Sequence, residues 1–487
     1  MNKISRRHFM KSSIYAGAAL AVPRGRVQGA NNDIRIAVVG LGSFVKIGGK
    51  GRDDLRDFRK IPGVRIAAIC DCDTDHIAPV LKECNDNGER VTVYKDVREL
   101  LDSKEIDAVS ITTPNHWHSL MTIWACQAGK DVFVQKPASH NIFEGRKMVE
   151  AAAKYNRIVQ ATHGPRSNGA LEPAFEYAWK GNLGRMLYVH GLNYRPRESI
   201  GKVTGPQPIP SGCDYDLWCG PAVKKPLMRK YLHYDWHWDW TTGNGDIGNM
   251  GIHYVDSCRW AVNQMELPKR VISIGGRFAY DDDGETPNTL ITLLDYDPVP
   301  ILFEVRGLPK SKAVHDQKWS RNMDTYLGER FGAVVHCEEG YVLNGAAYDK
   351  KGGLIKKFTS ERISTKQNFI DVMRSRKTDE LYTDALDGHL SCGLLHMANI
   401  SYRIGRQTRP GQIRETIRGN KVFAESFDRI AAHLDANGVD LSKTAATLGP
   451  VLEFDPRVER FTGEFSKEAN KQVSRNYREP FVVPEKV

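Results

Sequence analysis

Beyond its first thirty residues the chain lacks any apolar run long and pure enough to cross a bilayer, so no stable membrane insertion of the mature protein is expected. It also lacks internal repeats and low-complexity tracts. A ligand-spaced cysteine ladder is missing too. The nine cysteines, an odd number, are scattered at Cys70, Cys72, Cys84, Cys126, Cys213, Cys219, Cys258, Cys337 and Cys392. Several sit inside apolar runs, where a thiol behaves as a small hydrophobe. His389 and His396 have no ligand-spaced partners, so no metal site is expected. A Cys213–Cys219 disulfide stays open in an oxidising compartment. The body carries little excess charge of one sign. Six cations and no acid occupy residues 1–30, which leaves +4 of the formal +10 for the rest. A body so nearly balanced has no obvious phosphate-tracking surface, and nucleic acid is not an expected partner.

What is present starts at the N-terminus. Ser5-Arg6-Arg7-His8-Phe9-Met10-Lys11 resembles the twin-arginine export motif, and a weakly apolar run from Ser12 to Val22 follows. Small residues at Gly29 and Ala30 suit a cleavage site, so residues 1–30 are read as a signal peptide outside the fold. The expected destination is the periplasm. That route carries folded proteins, so export is compatible with a bound nucleotide.

The 487 residues are too many for one ordinary core and suggest two domains. From residue 34, apolar β-branched runs (34–40, 64–71, 91–94, 107–113, 131–134, 157–162) alternate with amphipathic segments (52–61, 118–129, 143–155). That alternation predicts a Rossmann-type, doubly wound parallel sheet over residues 31–165. Residues 166–487 change character. After a helix near 170–181, extended segments at 186–195, 271–280, 289–296 and 300–307 follow with few helices between them. They predict an α+β domain built on a large open, mostly antiparallel sheet. A helical region over 366–406 is expected to close it, and the polar tail from 455 to wrap a neighbour or be partly mobile.

The chemistry clusters at strand ends. Gly40-Leu41-Gly42-Ser43 lies between a strand and a helix, where glycines let a pyrophosphate approach the backbone. Val45 occupies the register of the third glycine, and Gly48, Gly49 or Gly51 is the expected substitute. Asp71 ends the second strand, placed to accept both ribose hydroxyls and repel a 2′-phosphate, so NAD is expected over NADP. Lys136 follows the strand Asp131–Val134 in DVFVQKP, at the carboxyl edge where open α/β sheets bind ligands.

These motifs resemble those of the Gfo/Idh/MocA group, which includes glucose–fructose oxidoreductase and inositol dehydrogenase. The resemblance runs from residue 33 onward. Thr113-Pro114-Asn115 with His118 is similar to the family's loop beside the nicotinamide ribose. Gln135-Lys136-Pro137 is similar to its Glu-Lys-Pro motif, with glutamine for glutamate, and Pro137 belongs to the same cofactor-binding set. Gly248 to Asp256 resembles its second-domain segment, with Asn249 where an aspartate is usual. The signal peptide and the aromatic stretch before Gly243 resemble the exported, sugar-processing branch.

The resemblance implies a hydride-transferring, NAD-dependent oxidoreductase acting on a sugar, glycoside or polyol hydroxyl, in a homodimer or homotetramer. Lys136 and His253 would be the acid/base pair. At i,i+4, Asn249 shares a helix face with His253 and would orient it without supplying charge. Lys136 would therefore carry more of the proton transfer, with Asp246 as a compensating carboxylate. Tyr234 to Trp240 alternates strictly. If extended, it would put the tryptophans, Trp238 among them, on one face and His237 and Asp239 on the other. Arg195 is a candidate for an acidic sugar. Two other readings stay open: a redox-neutral glycosidase or epimerase cycle, and a non-catalytic nucleotide- or sugar-binding protein.

Overall fold

The computed structural model describes residues 33–44, 48–315 and 322–487, so the signal-peptide reading of residues 1–30 lies outside the described residues. Six short strands, β1 (Ile34–Val39), β2 (Val64–Cys70), β3 (Thr92–Tyr94), β4 (Ala108–Ile111), β5 (Asp131–Val134) and β6 (Val159–Ala161), form one sheet in the order β3-β2-β1-β4-β5-β6. All its pairings are parallel. Every residue of β1, β4 and β5 is buried, as two-sided cover by crossover helices requires. Asp73 and Asn141 cap the helices Thr74–Asp86 and Ile142–Lys154 by accepting the N–H groups of Asp75 and Glu144. The strand order reverses between β1 and β4, which opens a crevice at the carboxyl ends of the strands.

The second sheet is built from β7 (Met186–Tyr194), β8 (Arg270–Gly276), β9 (Thr289–Asp295), β10 (Ile301–Arg306), β11 (Phe331–Cys337), β12 (Gly340–Leu343), β13 (Ala346–Asp349), β14 (Leu354–Lys357), β15 (Arg406–Thr408), β16 (Ala446–Leu448), β17 (Leu452–Asp455) and β18 (Arg460–Thr462). Its main path runs β14-β13-β12-β11-β7-β10-β9-β8-β16-β15, with β17 joining β8 to β18. Its pairings are antiparallel except β7 with β10. The sheet is thus mixed but mostly antiparallel, as the helix-poor spacing of its strands implies.

One helix joins the two sheets. Ala385–Arg403 is buried over nearly its whole length, and Leu390, Leu394 and Leu395 share one apolar core with Val132, Ala151, Val271 and Leu290. Beside it runs a buried ionic network. Arg166 grips Asp256 with two hydrogen bonds of 2.7 and 2.9 Å, Ser391 donates to Asp256 at 2.7 Å, and Arg259 pairs with Asp387 at 2.8 Å.

The last part of the chain departs from expectation twice. The helical region is two helices, Thr365–Ser375 and Ala385–Arg403, and two more follow at Pro410–Ile417 and Lys421–Ala436. The later pair covers the far side of the large sheet, setting Phe423, Phe427 and Ile430 on Ile274, Ile291 and Leu302. The tail is likewise packed on its own chain. Val473, Phe481 and Val483 are buried, the Phe481 ring lies 5.3 Å from that of Trp117, and Arg475 meets Glu144 at 2.9 Å. Its apolar anchors are too widely spaced to form a periodic pattern, which is why composition alone suggested a loose end.

Candidate active site

The glycine turn is shaped by close contact. Gly40 and Gly42 adopt φ of +87° and +82°, and a Cβ on Gly42 would lie 2.1 Å from the Gly48 carbonyl oxygen. Gly51 supplies the missing third glycine, since a Cβ there would come within 2.0 Å of the Gly40 carbonyl oxygen. The helix Lys50–Arg59 begins beside this turn with no side-chain cap, which leaves its N–H groups and dipole for an anion.

A cleft of about 320 Å³ runs from this turn across the strand ends. Gly40, Gly42, Ser43, Asp71, Thr113, Pro114, Lys136, His237 and Asn249 line it. Asp71 closes β2 and accepts the N–H groups of Leu41 at 2.7 Å and Asp73 at 3.0 Å, so its carboxylate is fixed against the turn. Glycine turn, open helix terminus and fixed carboxylate together fit the pyrophosphate and ribose of a dinucleotide. When bound, such a cofactor would supply hydride-transfer chemistry.

Other expected residues act from behind the lining. Asn115 is fully buried and donates to Asn244 Oδ1 at 2.5 Å. The His118 ring nitrogens lie 2.7 Å from the carbonyl oxygens of Pro137 and Thr113, tying the Thr113 loop to the turn after Lys136. These residues position the wall.

Lys136 Nζ donates to Asn249 Oδ1 at 3.3 Å and, more closely, to the Asn249 backbone carbonyl. Burial, reinforced by the charges of Arg197, Arg195 and Lys50 against the opposing charge of Asp246, lowers its pKa to about 8. Behind it, Gln135 Nε2 donates to Asp54 Oδ2 at 2.8 Å, and Asp54 pairs with Lys366 at 3.0 Å and Lys50 at 3.2 Å. The negative charge that Gln135 omits thus stands one residue further back, in Asp54.

Five expectations are corrected. Asn249 sits in a π turn, Ile247–Gly251, ahead of the helix Ile252–Val262, and its amide faces Lys136, with no hydrogen bond to His253. Such turns are frequent at functional sites. His253 is half-buried behind the cleft lining, where burial and the charge of Lys136 hold its pKa at about 3. Asp246 does not support the histidine, because its carboxylate is taken by Arg197 Nε at 2.8 Å and Asn193 Nδ2 at 3.1 Å. The 234–240 stretch is not extended. Asp235–Trp238 is a 3-10 turn that aims both Trp236 and His237 into the cleft. Trp238 is buried instead under the Arg277 guanidinium, and Asp239 pairs with Lys225 at 3.0 Å. Arg195, just past β7, lies outside the lining and approaches Met250 Sδ at 3.9 Å.

The cleft also gathers Lys50, Cys72, His76 and His233, which sequence reasoning passed over, beside Tyr234 and Trp236 of the aromatic stretch. Lys50 carried a signal, because a cation in the first helical turn opposes the dipole unless an anion faces it. His233 carried none, since only tertiary contact brings its Nε2 within 2.9 Å of Asp73 Oδ2. Asp73, His233 and Cys213 form the one group of metal-capable donors among the described residues, their ligand atoms within 4.8 Å of one another.

Residues 34–163 match the family model of the oxidoreductase NAD-binding Rossmann fold, and residues 186–283 that of the oxidoreductase C-terminal alpha/beta domain, both of the Gfo/Idh/MocA group. These matches support placing the chain among Gfo/Idh/MocA oxidoreductases. Glycosyl hydrolase family 109 protein 2 of Shewanella sp. (strain ANA-3) is 28% identical over 235 residues, 42% of this chain and 50% of that protein. Levoglucosan dehydrogenase of Pseudarthrobacter phenanthrenivorans is 23% identical over 278 residues, 55% of this chain and 62% of that one. The chain spans about half the length of the glycosyl hydrolase relatives it matches. Among solved structures, the WlbA dehydrogenase from Bordetella pertussis, in complex with NADH and UDP-GlcNAcA, superposes with a TM-score of 0.54 at 17% identity. That match covers 77% of this chain and 96% of the other, and it shows the fold.

Proposed function

We propose that this protein is an exported, NAD-dependent oxidoreductase that oxidises a secondary hydroxyl of a sugar, glycoside or polyol. One observation carries the reading. A half-buried lysine with its pKa lowered to about 8 faces the same cleft as a dinucleotide-shaped glycine turn and a ribose-directed carboxylate. Lys136 takes the hydroxyl proton as hydride leaves the carbon, and Asn249 holds its Nζ in place. With its pKa at about 3, His253 is neutral and a weak base at neutral pH, and it contributes chiefly to the polarity around Lys136. His237 and Trp236 offer a polar tip and a ring face to a sugar.

Asp71 favours NAD over NADP by repelling a 2′-phosphate. Export to the periplasm, with assembly as a homodimer or homotetramer, completes the proposal. The test is NADH formation, followed by absorbance, across a panel of free sugars, glycosides and polyols. Turnover by the wild type that disappears in Lys136→Met supports the reading, and NAD binding without turnover on the whole panel would refute it.

A second reading draws on the relatives named glycosyl hydrolase family 109. Transient oxidation of a sugar carbon acidifies the neighbouring C–H, elimination then expels the aglycone, and addition of water and return of the hydride complete a redox-neutral cleavage. Release of aglycone without net NADH would select this cycle over a dehydrogenase.

A further inference from the structure

A second cavity, of about 300 Å³, lies across the Asn115–Asn244 wall from the cofactor cleft. It is enclosed by the start of the helix Ile142–Lys154, the end of the helix Ala385–Arg403, the Trp240–Asn244 segment and the tail around Lys471–Asn476. Its lining holds a concentration of unmet polar groups. His140 is 8% exposed, and neither of its ring nitrogens has a hydrogen-bond partner among the described residues. Asn399, 4% exposed, donates to the Asn244 carbonyl at 3.0 Å but leaves Oδ1 without a donor. Gln472 Oε1 is also unmet. Buried polar groups are seldom left so, because each lone acceptor loses its water without gaining a donor.

The charges are one-sided. Arg403, Arg475 and Lys471 line the cavity, and no carboxylate does. Arg475 is occupied by Glu144 and by the carbonyls of Thr241 and His116. Arg403 lies 4.8 Å over the Trp240 ring, feels the Glu285 charge, and makes no close ion pair among the described residues. Cations at the mouth, amide oxygens that need a hydroxyl proton, and a neutral imidazole that both donates and accepts define a narrow chemistry.

We infer that this cavity is a second binding site, distinct from the cofactor cleft, for a small hydroxylated organic anion of the sugar-acid type. The carboxylate pairs with Arg403 and Lys471, and hydroxyls donate to Asn399 Oδ1 and Gln472 Oε1. His140, held neutral by burial and by the nearby Arg475, bonds a further hydroxyl. Asn244 lines this cavity and links it to the buried Asn115 behind the cofactor cleft. Its Nδ2 donates to the His140 carbonyl at 3.1 Å while its Oδ1 accepts from Asn115.

The test is calorimetric titration of the full-length protein with D-glucuronate, glucose and sulfate. Saturable binding of glucuronate, unchanged in Lys136→Met and weakened about tenfold in Arg403→Glu, is expected, since one charge-assisted hydrogen bond is worth about that factor. Arg403 is exposed, so its reversal should leave the melting curve unchanged, and Lys471→Glu provides a second variant at the mouth. Binding lost in Lys136→Met but kept in Arg403→Glu assigns the anion to the cofactor cleft and overturns the inference. Sulfate or glucose binding as tightly as glucuronate removes the sugar-acid specificity. Absence of binding by any probe leaves ordered water as the occupant and also overturns it.

Discussion

The two halves of the cofactor cleft are built by different means. On the Rossmann side, Gly40, Asp71, Thr113 and Lys136 all follow directly from strand ends, and neighbouring backbone fixes their places. On the second-domain side, the contacts come from a 3-10 turn at 235–238 and a π turn at 247–251. A parallel sheet brings its carboxyl ends to one edge whatever the details of packing. Irregular turns aim their side chains only through the contacts that hold them. The first half is therefore set by topology, the second by packing.

This contrast is sharpened most by Lys136→Met. Loss of a general base should lower kcat about 10³-fold with little change in NAD binding, measured by steady-state kinetics and cofactor titration. An equal loss from His253→Ala would shift the chemistry to the packed half; the expected loss there is far smaller. Next in size is Asp256→Asn. Although burial pushes this carboxyl up, Arg166 and Arg259 hold its pKa at about 2. Removing its charge strands the buried Arg166 guanidinium, since Arg259 keeps Asp387, and should cost about 3 kcal/mol in denaturant unfolding. Because the folded pKa is depressed, the pair's contribution is full above the ordinary aspartate range and lost as pH falls toward 2.

A smaller effect is expected from Asp71→Ala. It should raise the KM for NAD about tenfold while leaving kcat within about twofold, the loss of roughly one charged hydrogen bond. A drop in kcat at unchanged KM would detach this carboxylate from the cofactor. The smallest effect concerns pH. kcat/KM should climb as Lys136 loses its proton at about pH 8. Asn249→Asp places a carboxylate against Nζ, favours the charged form and should move that inflection up by about one unit. An unmoved inflection would separate Asn249 from the lysine.

Legibility followed the same division. The succession of β1 to β6 in a parallel sheet, the glycine turn, Asp71 and Lys136 were readable because each depends on local spacing and on the parallel-sheet rule. The displaced third glycine could not be placed from register, since the insertion at 43–48 shifts its role to Gly51. Tyr234–Trp240 misled for a related reason. Strict alternation predicts a strand only where a neighbouring strand receives the backbone hydrogen bonds, and here Trp238 is instead covered by Arg277. Asn249 and His253 fit an α-helical face in sequence, yet a π turn separates their roles. The later helices and the tail anchors at Val473, Phe481 and Val483 were hidden because their partners lie hundreds of residues away.

Local pattern sufficed for the Rossmann sheet, the dinucleotide-shaped turn and the lysine at its edge. Strand alternation and glycine spacing are local codes read by the backbone. Tertiary structure alone decided that Asp246 belongs to Arg197, that Asp54 stands behind Gln135, and that His140, Asn399 and Gln472 share one cavity. Each of those outcomes depends on which buried polar groups find partners once the two sheets close on the helix Ala385–Arg403, and no local pattern encodes that pairing.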